Sequence, residues 1–175
     1  MHEHVFVDET KAKGFVLVAA VVPPASLASL RSQVNALRLK GQQRLHFASE
    51  SNRRRNMIAR SLIATGVQAY VYDATSFRDG KDARDAAISQ LTDDVVAMGA
   101  TRLVLERDES VERNDRLVIR SRLLKVDPGN PLRYEHLRAA QESLLAIPDA
   151  IAWCWARDNK WRKCVEPLIA GVVRL

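Results

Sequence analysis

The chain has 175 residues, 47% apolar and 27% charged, with 27 Lys and Arg against 21 Asp and Glu for a net charge of +6. A chain of that length buries a core without disulfide or metal staples, and no apolar run reaches the ~20 residues of a membrane span. The opening His2, Glu3 and His4 lack the basic-then-apolar order of a secretory signal, so the expected location is the cytoplasm. The basic balance suits a polyanionic partner, RNA or DNA, but also suits a merely soluble protein.

From the N-terminus, Val5 and Val7 alternate with His4 and Phe6, and "GFVLVAAVV" follows a short connection, which predicts antiparallel strands over 3–8 and 14–22. Pro23 and Pro24 end the second. Leu27, Leu30, Val34 and Leu37 fall at helical spacing in a helix from Ser26 that Gly41 closes. A second helix is expected over 51–64, with Met57, Ile58, Leu62 and Ile63 inward. "VQAYVYDA" at 67–74 reads as a third strand.

Ala83, Ala87, Leu91, Val95 and Met98 make the stripe of a third helix, ended by Gly99. "TRLVLER" at 101–107 has the apolar run of a strand inside a sheet. A charged helix over 111–125, the turn "DPGNP" and a short strand in "LRYEHL" follow, and 138–175 reads as helical, with Pro148 and Pro167 breaking or starting segments. This order predicts a mixed α/β sheet with helices on both sides. It is the order of one ribonuclease H-like domain spanning 1–175, with a helical insertion before the third strand and a helical C-terminal region.

The carboxylates fall at element ends. Asp8 and Glu9 close the first strand, Glu106 and Asp108 close the strand at 101–107, and Asp149 follows Pro148 at a helix start. If the strands ending in Asp8 and Glu106 are parallel neighbours, their ends lie about 5 Å apart. Such anions repel one another unless a divalent metal neutralises them, and Mg²⁺ or Mn²⁺ accepts a few carboxylates while keeping its waters. Each acid also has a structural reading: Asp8, Glu9 and Thr10 as turn formers, "ERDES" as a helix start capped by Asp108 or Ser110, and Asp149 as a helix N-terminal acid. Only their joint placement points to chemistry.

"HFASESNRRRNMIAR" supplies His46, Glu50, Arg53, Arg54, Arg55 and Arg60. Arginine forks there would hold a nucleic-acid backbone, or would form a solvated helix face, and His46 would donate to a phosphate or pack as a strand histidine. Trp153, Trp155 and Trp161 are expected in the core rather than stacked on bases, and Cys154 and Cys164 are expected as free thiols, since no zinc spacing accompanies them. The chain carries no Walker loop, dinucleotide glycine fingerprint or Gly-x-Ser-x-Gly elbow, so chemistry by those routes has no local support.

"VFVDET", a long apolar strand ending in "VVP", "LHF" before a polar helix, and "IPDAIAW" together resemble the bacterial domain-of-unknown-function 3800 family. That family is regarded as ribonuclease H-like. Its first strand typically ends Asp-Glu-Ser-Gly, where this chain has Thr10 and Lys11 after the acids, and Pro148 stands where an alanine is common. The resemblance implies Asp8, Glu106 and Asp149 as catalytic metal ligands, with Asp108 rivalling Glu106 and with Glu9 and Glu50 in reserve. Leu45 and His46 match its Leu-His element. The expected function is therefore a Mg²⁺- or Mn²⁺-dependent nuclease. The alternative is a non-catalytic module of the same fold that binds nucleic acid or protein, its acids neutralised by Lys11 in place of metal.

Overall fold

A computed structural model describes residues 2–175. Three strands, β1 (His4–Thr10), β2 (Val16–Val22) and β3 (Gln68–Asp73), form an antiparallel meander, and β4 (Arg102–Glu106) and β5 (Arg133–Leu137) add parallel to β1 on its other side. A sixth strand, β6 (Ile169–Arg174), joins parallel to β3, giving the order β5-β4-β1-β2-β3-β6. A meander of three strands extended by parallel strands on the β1 side is the ribonuclease H-like arrangement. The helical insertion before β3 is present as α1 (Leu27–Ala36) and α2 (Asn52–Ala64). No helix among the described residues is long and apolar enough to cross a membrane.

Period-two alternation divides the sheet into two buried faces. Phe6, Val18, Val71 and Val104 point to the side covered by α1, α2, α5 (Ala146–Trp155) and α6 (Asn159–Val165). Val5, Val7, Leu17, Tyr72, Leu103 and Leu105 point to the side covered by α3 (Gly80–Ala97) and α4 (Glu112–Val126). The helices start where side chains satisfy orphan amides. Ser51 accepts from Arg54 N ahead of α2, and Asp79 accepts from Lys81 N and Asp82 N ahead of α3. The aromatic expectation holds: Trp161 is buried, and Trp153 meets both it and Phe47 edge-on at 5.2 and 5.3 Å. Both cysteines are free, and burial pushes the Cys154 thiol up to about 12.

Two expectations fail. Residues 138–175 are not helical throughout: 138–145 turn through a 3-10 segment in which Glu142 accepts from Leu144 N and is clasped by Arg31 at 3.0 and 2.7 Å, and 169–174 is strand. Pro148 sits in the first turn of α5, where its missing N–H costs nothing, so the helix begins there instead of running through. After Pro167, β-branched Ile169, Val172 and Val173 pair with β3, and Gly171 passes so near the Tyr70 ring that a Cβ would stand 3.2 Å from it. The first helix, expected to reach Gly41, ends at Ala36 because side chains capture the next backbone groups: Gln42 Oε1 accepts from Leu39 N, and Arg38 donates to Gln43 O. That irregular segment leads to Arg44 and His46.

Candidate functional site

β1 and β4 run parallel with Val7 opposite Leu105, so the next residues along, Asp8 and Glu106, are neighbours at the carboxyl ends of the two strands. Both continue the face that carries Phe6 and Val104, the face on which α5 packs. Asp149 stands in the first turn of α5, and its charge reaches Asp8. Three acids 98 and 43 residues apart in sequence thus meet at one edge of the sheet. Burial and the adjacent Glu106 carboxylate, with Asp149 and Glu9 adding to them, hold the Asp8 carboxyl well above the usual range. Asp8 Oδ1 also accepts from Glu9 N at 2.7 Å.

The two outer acids already have partners. Arg44 donates to Glu106 at 2.9 Å, and Asp149 Oδ2 accepts from Phe47 N at 2.8 Å, which ties α5 to the 3-10 turn at 47–49. His46 Nδ1 lies 3.5 Å from the same oxygen, and this interaction raises the imidazole pKa. Among the described residues, no three or more His, Cys, Asp or Glu side chains are grouped closely enough to hold a metal ion together. The donor chemistry nevertheless fits a hard divalent cation. Carboxylate oxygens are the ligands Mg²⁺ and Mn²⁺ take, one or two suffice beside retained waters, and Asp8 and Glu106 stand as like charges with too little positive charge between them.

Above the acids opens a cavity of about 800 Å³, bordered by Asp8 and Glu106, by Asp108, and by Arg44, Arg107 and Arg138. Asp108 is turned to its own loop, accepting from Ser110 N and Oγ at 3.0 and 2.6 Å, and Lys11 lies 3.7 Å from it. Lys11 is also 3.5 Å from Glu9, so the lysine expected to neutralise the acids stands at Glu9 and Asp108 instead of Asp8.

The arginine run at the start of α2 divides. Arg54 donates to Glu50 and to Leu37 O, and Arg55 donates to Phe47 O, Ala48 O and Asn52 while lying 4.3 Å over the Trp153 ring. Both spend their forks inside the protein, which leaves Arg53 exposed, together with Arg60. Glu50, buried and bound to Arg54 and Gln42, belongs to that scaffold and not to the acid cluster. The cations at the acid cavity are instead Arg44, Arg107 and Arg138, which sequence reasoning missed. A signal existed for two of them: Arg107 follows the last residue of β4, and Arg138 follows that of β5, so parallel pairing of these strands sets both at the same sheet edge.

Glu9 follows the alternation to the opposite face. Arg84 Nη1 donates to Glu9 at 2.6 Å and grips Asp115 bidentately at 2.7 and 2.8 Å, and His136 Nε2 lies 3.1 Å from Asp115. The paired acids of β1 therefore serve different clusters.

No family model matches the chain, and no curated protein matches it. Among solved structures it is similar to a chain in the PCNA:RNase HII complex from Archaeoglobus fulgidus, at a TM-score of 0.46 and 15% identity over 87% of this chain and 70% of that one. At that score the likeness adds nothing to what the strand order establishes.

Proposed function

We propose that the protein is a metal-dependent nuclease whose Asp8, Glu106 and Asp149 hold Mg²⁺ or Mn²⁺, with Asp108 as the rival to Glu106. One observation carries this reading: Asp8 and Glu106, at the carboxyl ends of two parallel strands, border an open cavity with arginines, and the charge of Asp149 on α5 reaches Asp8 beside them. Fold alone would support no reaction. Membership of the domain-of-unknown-function 3800 family and a cytoplasmic location belong to the same proposal.

The bound cation would supply Lewis-acid stabilisation of the phosphoryl oxygens and an acidified water. The protein's own groups do the rest. Arg44, Arg107 and Arg138 hold the RNA or DNA backbone over the acids through planar forks. Asp149, anchored on Phe47 N, turns His46 by its Nδ1 and leaves Nε2 for proton exchange with a leaving oxygen. Burial of the Asp8 side keeps bulk water from one flank of the cluster.

The test is cleavage of end-labelled RNA, DNA and hybrid substrates in Mg²⁺. The wild type cleaves at least one, and Asp8→Asn loses about 10³-fold or more, the scale of several kcal/mol of charge stabilisation, with its circular dichroism unchanged. Wild-type rates in a folded Asp8→Asn protein overturn the reading.

A second reading, a non-catalytic binding module, is favoured by Arg44 at Glu106, a cation already seated on one of the three acids. Calorimetry with Mn²⁺ separates the two. Millimolar or tighter binding that disappears in Asp149→Ala supports the enzyme, and no metal binding supports the module.

A further inference from the structure

Beside the acidic cavity lies a second one of about 600 Å³, between the β1–β2 hairpin, the turn after β3 and the start of α4. Phe15 and Phe77 supply its aromatic walls, and Lys11, Arg78 and Lys81 its exposed cations, while no carboxylate lines it. Arg84 forms part of the floor but is committed to Glu9 and Asp115. Phe15 is buried, 5.8 Å beneath the Arg84 guanidinium, whereas Phe77, at the cavity's edge, is 38% exposed. Its exposed part lies among the cations that line the cavity and offers them an apolar face.

The two cavities adjoin at Ser110. Ser110 lines both, and Lys11, on the wall of the second, reaches Glu9 and Asp108 on the wall of the first at 3.5 and 3.7 Å. A ligand lying over the acids therefore has a path across the Ser110 loop into a chamber that offers a flat apolar face and positive charge. A single-stranded nucleic acid presents those two complements at each repeat: a base with a π face and a phosphate. We infer that the Phe77 cavity is a nucleotide subsite, taking the base and phosphate next along the strand whose phosphodiester lies over Asp8 and Glu106. The base stacks on Phe77, and Arg78 and Lys81 hold the following phosphate. Lys81 is partly engaged, with Asp85 at 2.6 Å, which leaves Arg78 as the stronger contact.

The inference rests on the acid cluster being a phosphodiester site, but its readout is binding. Fluorescence anisotropy of ~12-nucleotide single-stranded RNA and DNA, with EDTA present so that nothing is cut, compares wild type, Phe77→Ala, Phe77→Trp and Arg78→Ala/Lys81→Ala. Phe77→Ala binds about tenfold more weakly, the scale of one lost base–aromatic stack, and Phe77→Trp stays within about twofold of wild type. Inorganic polyphosphate, which has charge but no bases, binds wild type and Phe77→Ala alike. The double variant lowers the slope of log K against log salt by up to about two.

Equal oligonucleotide binding by wild type and Phe77→Ala overturns the subsite, as does an equal loss toward polyphosphate or an absence of oligonucleotide binding by the wild type. A parallel Mg²⁺ cleavage assay keeps the two failures apart. Cleavage with Phe77-independent binding sinks the subsite alone, and Phe77-dependent binding without cleavage sinks the nuclease reading alone.

Discussion

Asp8 and Glu9 are consecutive residues of one strand, yet they enter two carboxylate clusters of opposite character on the two faces of the same sheet. On the α3–α4 face, Glu9 and the fully buried Asp115 share Arg84, and His136 closes on Asp115. On the α5 face, Asp8 meets Glu106 and Asp149, with Arg44 present only at the outer edge. Burial pushes the carboxyl upward in both places. In the first, hydrogen bonds from Arg84 and His136 overcome it and hold Asp115 below its ordinary value; in the second, Glu106 and Asp149 reinforce it and hold Asp8 above. The sign of the neighbours, not burial, separates an internal brace from a site that wants a cation.

The sharpest way to break that contrast is to remove the brace. Arg84→Met leaves the buried Asp115 without its guanidinium and Glu9 with Lys11 alone, and the expected loss is about 3–5 kcal/mol, the range for a buried pair deprived of one partner. At ~2–4 °C per kcal/mol for a chain of this size, the melting temperature falls by roughly 6–20 °C. A urea titration showing a loss under about 1 kcal/mol would mean that the Arg84 cluster is no brace. Its pH dependence has a definite sign. Asp115, depressed in the fold, contributes stability that is complete above its unfolded pKa and is lost as pH falls through the folded one.

Asp8 has the opposite sign, and the effect is smaller. With its folded pKa raised, its ionisation penalises the fold above that pKa, and the penalty lifts as pH falls through it. Asp8→Asn removes the penalty, so in EDTA at neutral pH or above the variant is more stable than wild type by on the order of 1 kcal/mol, as when a strained functional group is relieved. At acid pH, where Asp8 is protonated, the gain disappears. Millimolar Mn²⁺ reverses the order, because a ligand that binds only the folded wild type stabilises it by mass action. Differential scanning in EDTA and in Mn²⁺ checks both halves, and a destabilised Asp8→Asn in EDTA would remove Asp8 from the class of cation-seeking groups.

The contrast was half legible in the sequence. Strand ends and helix starts are local signals, so Asp8, Glu106 and Asp149 could each be placed at an element end, and the parallel pairing of β1 and β4 then brings two of them together. What lay beyond reach was non-local. Glu9 reads as a reserve ligand, whereas Arg84, 75 residues onward, binds it and ties it to Asp115, 106 residues onward. Arg54 and Arg55 looked like free cations because nothing in "SNRRRN" shows that the backbone of Phe47 and Ala48 and the ring of Trp153 would claim them. Residues 169–174 read as helix in sequence because a short apolar run has no distinct period, and pairing with β3 makes them strand.

The smallest effect sharpens the boundary between the two clusters. Arg44 gives the acid cluster the one strong cationic contact it has, 2.9 Å from Glu106, but its side chain is 43% exposed, whereas Arg84 is 4% exposed. A solvated pair of that kind is worth about 0.2–1 kcal/mol. If Arg44 stands in for a metal, Arg44→Ala frees Glu106 and tightens Mn²⁺ binding by up to about fivefold, read by calorimetry. The same substitution removes one phosphate contact, so oligonucleotide affinity falls and its salt slope drops by about one. The two readouts must move in opposite directions. A joint fall would make Arg44 part of a brace like Arg84, and the acid cluster would then be held by internal cations on both faces of the sheet.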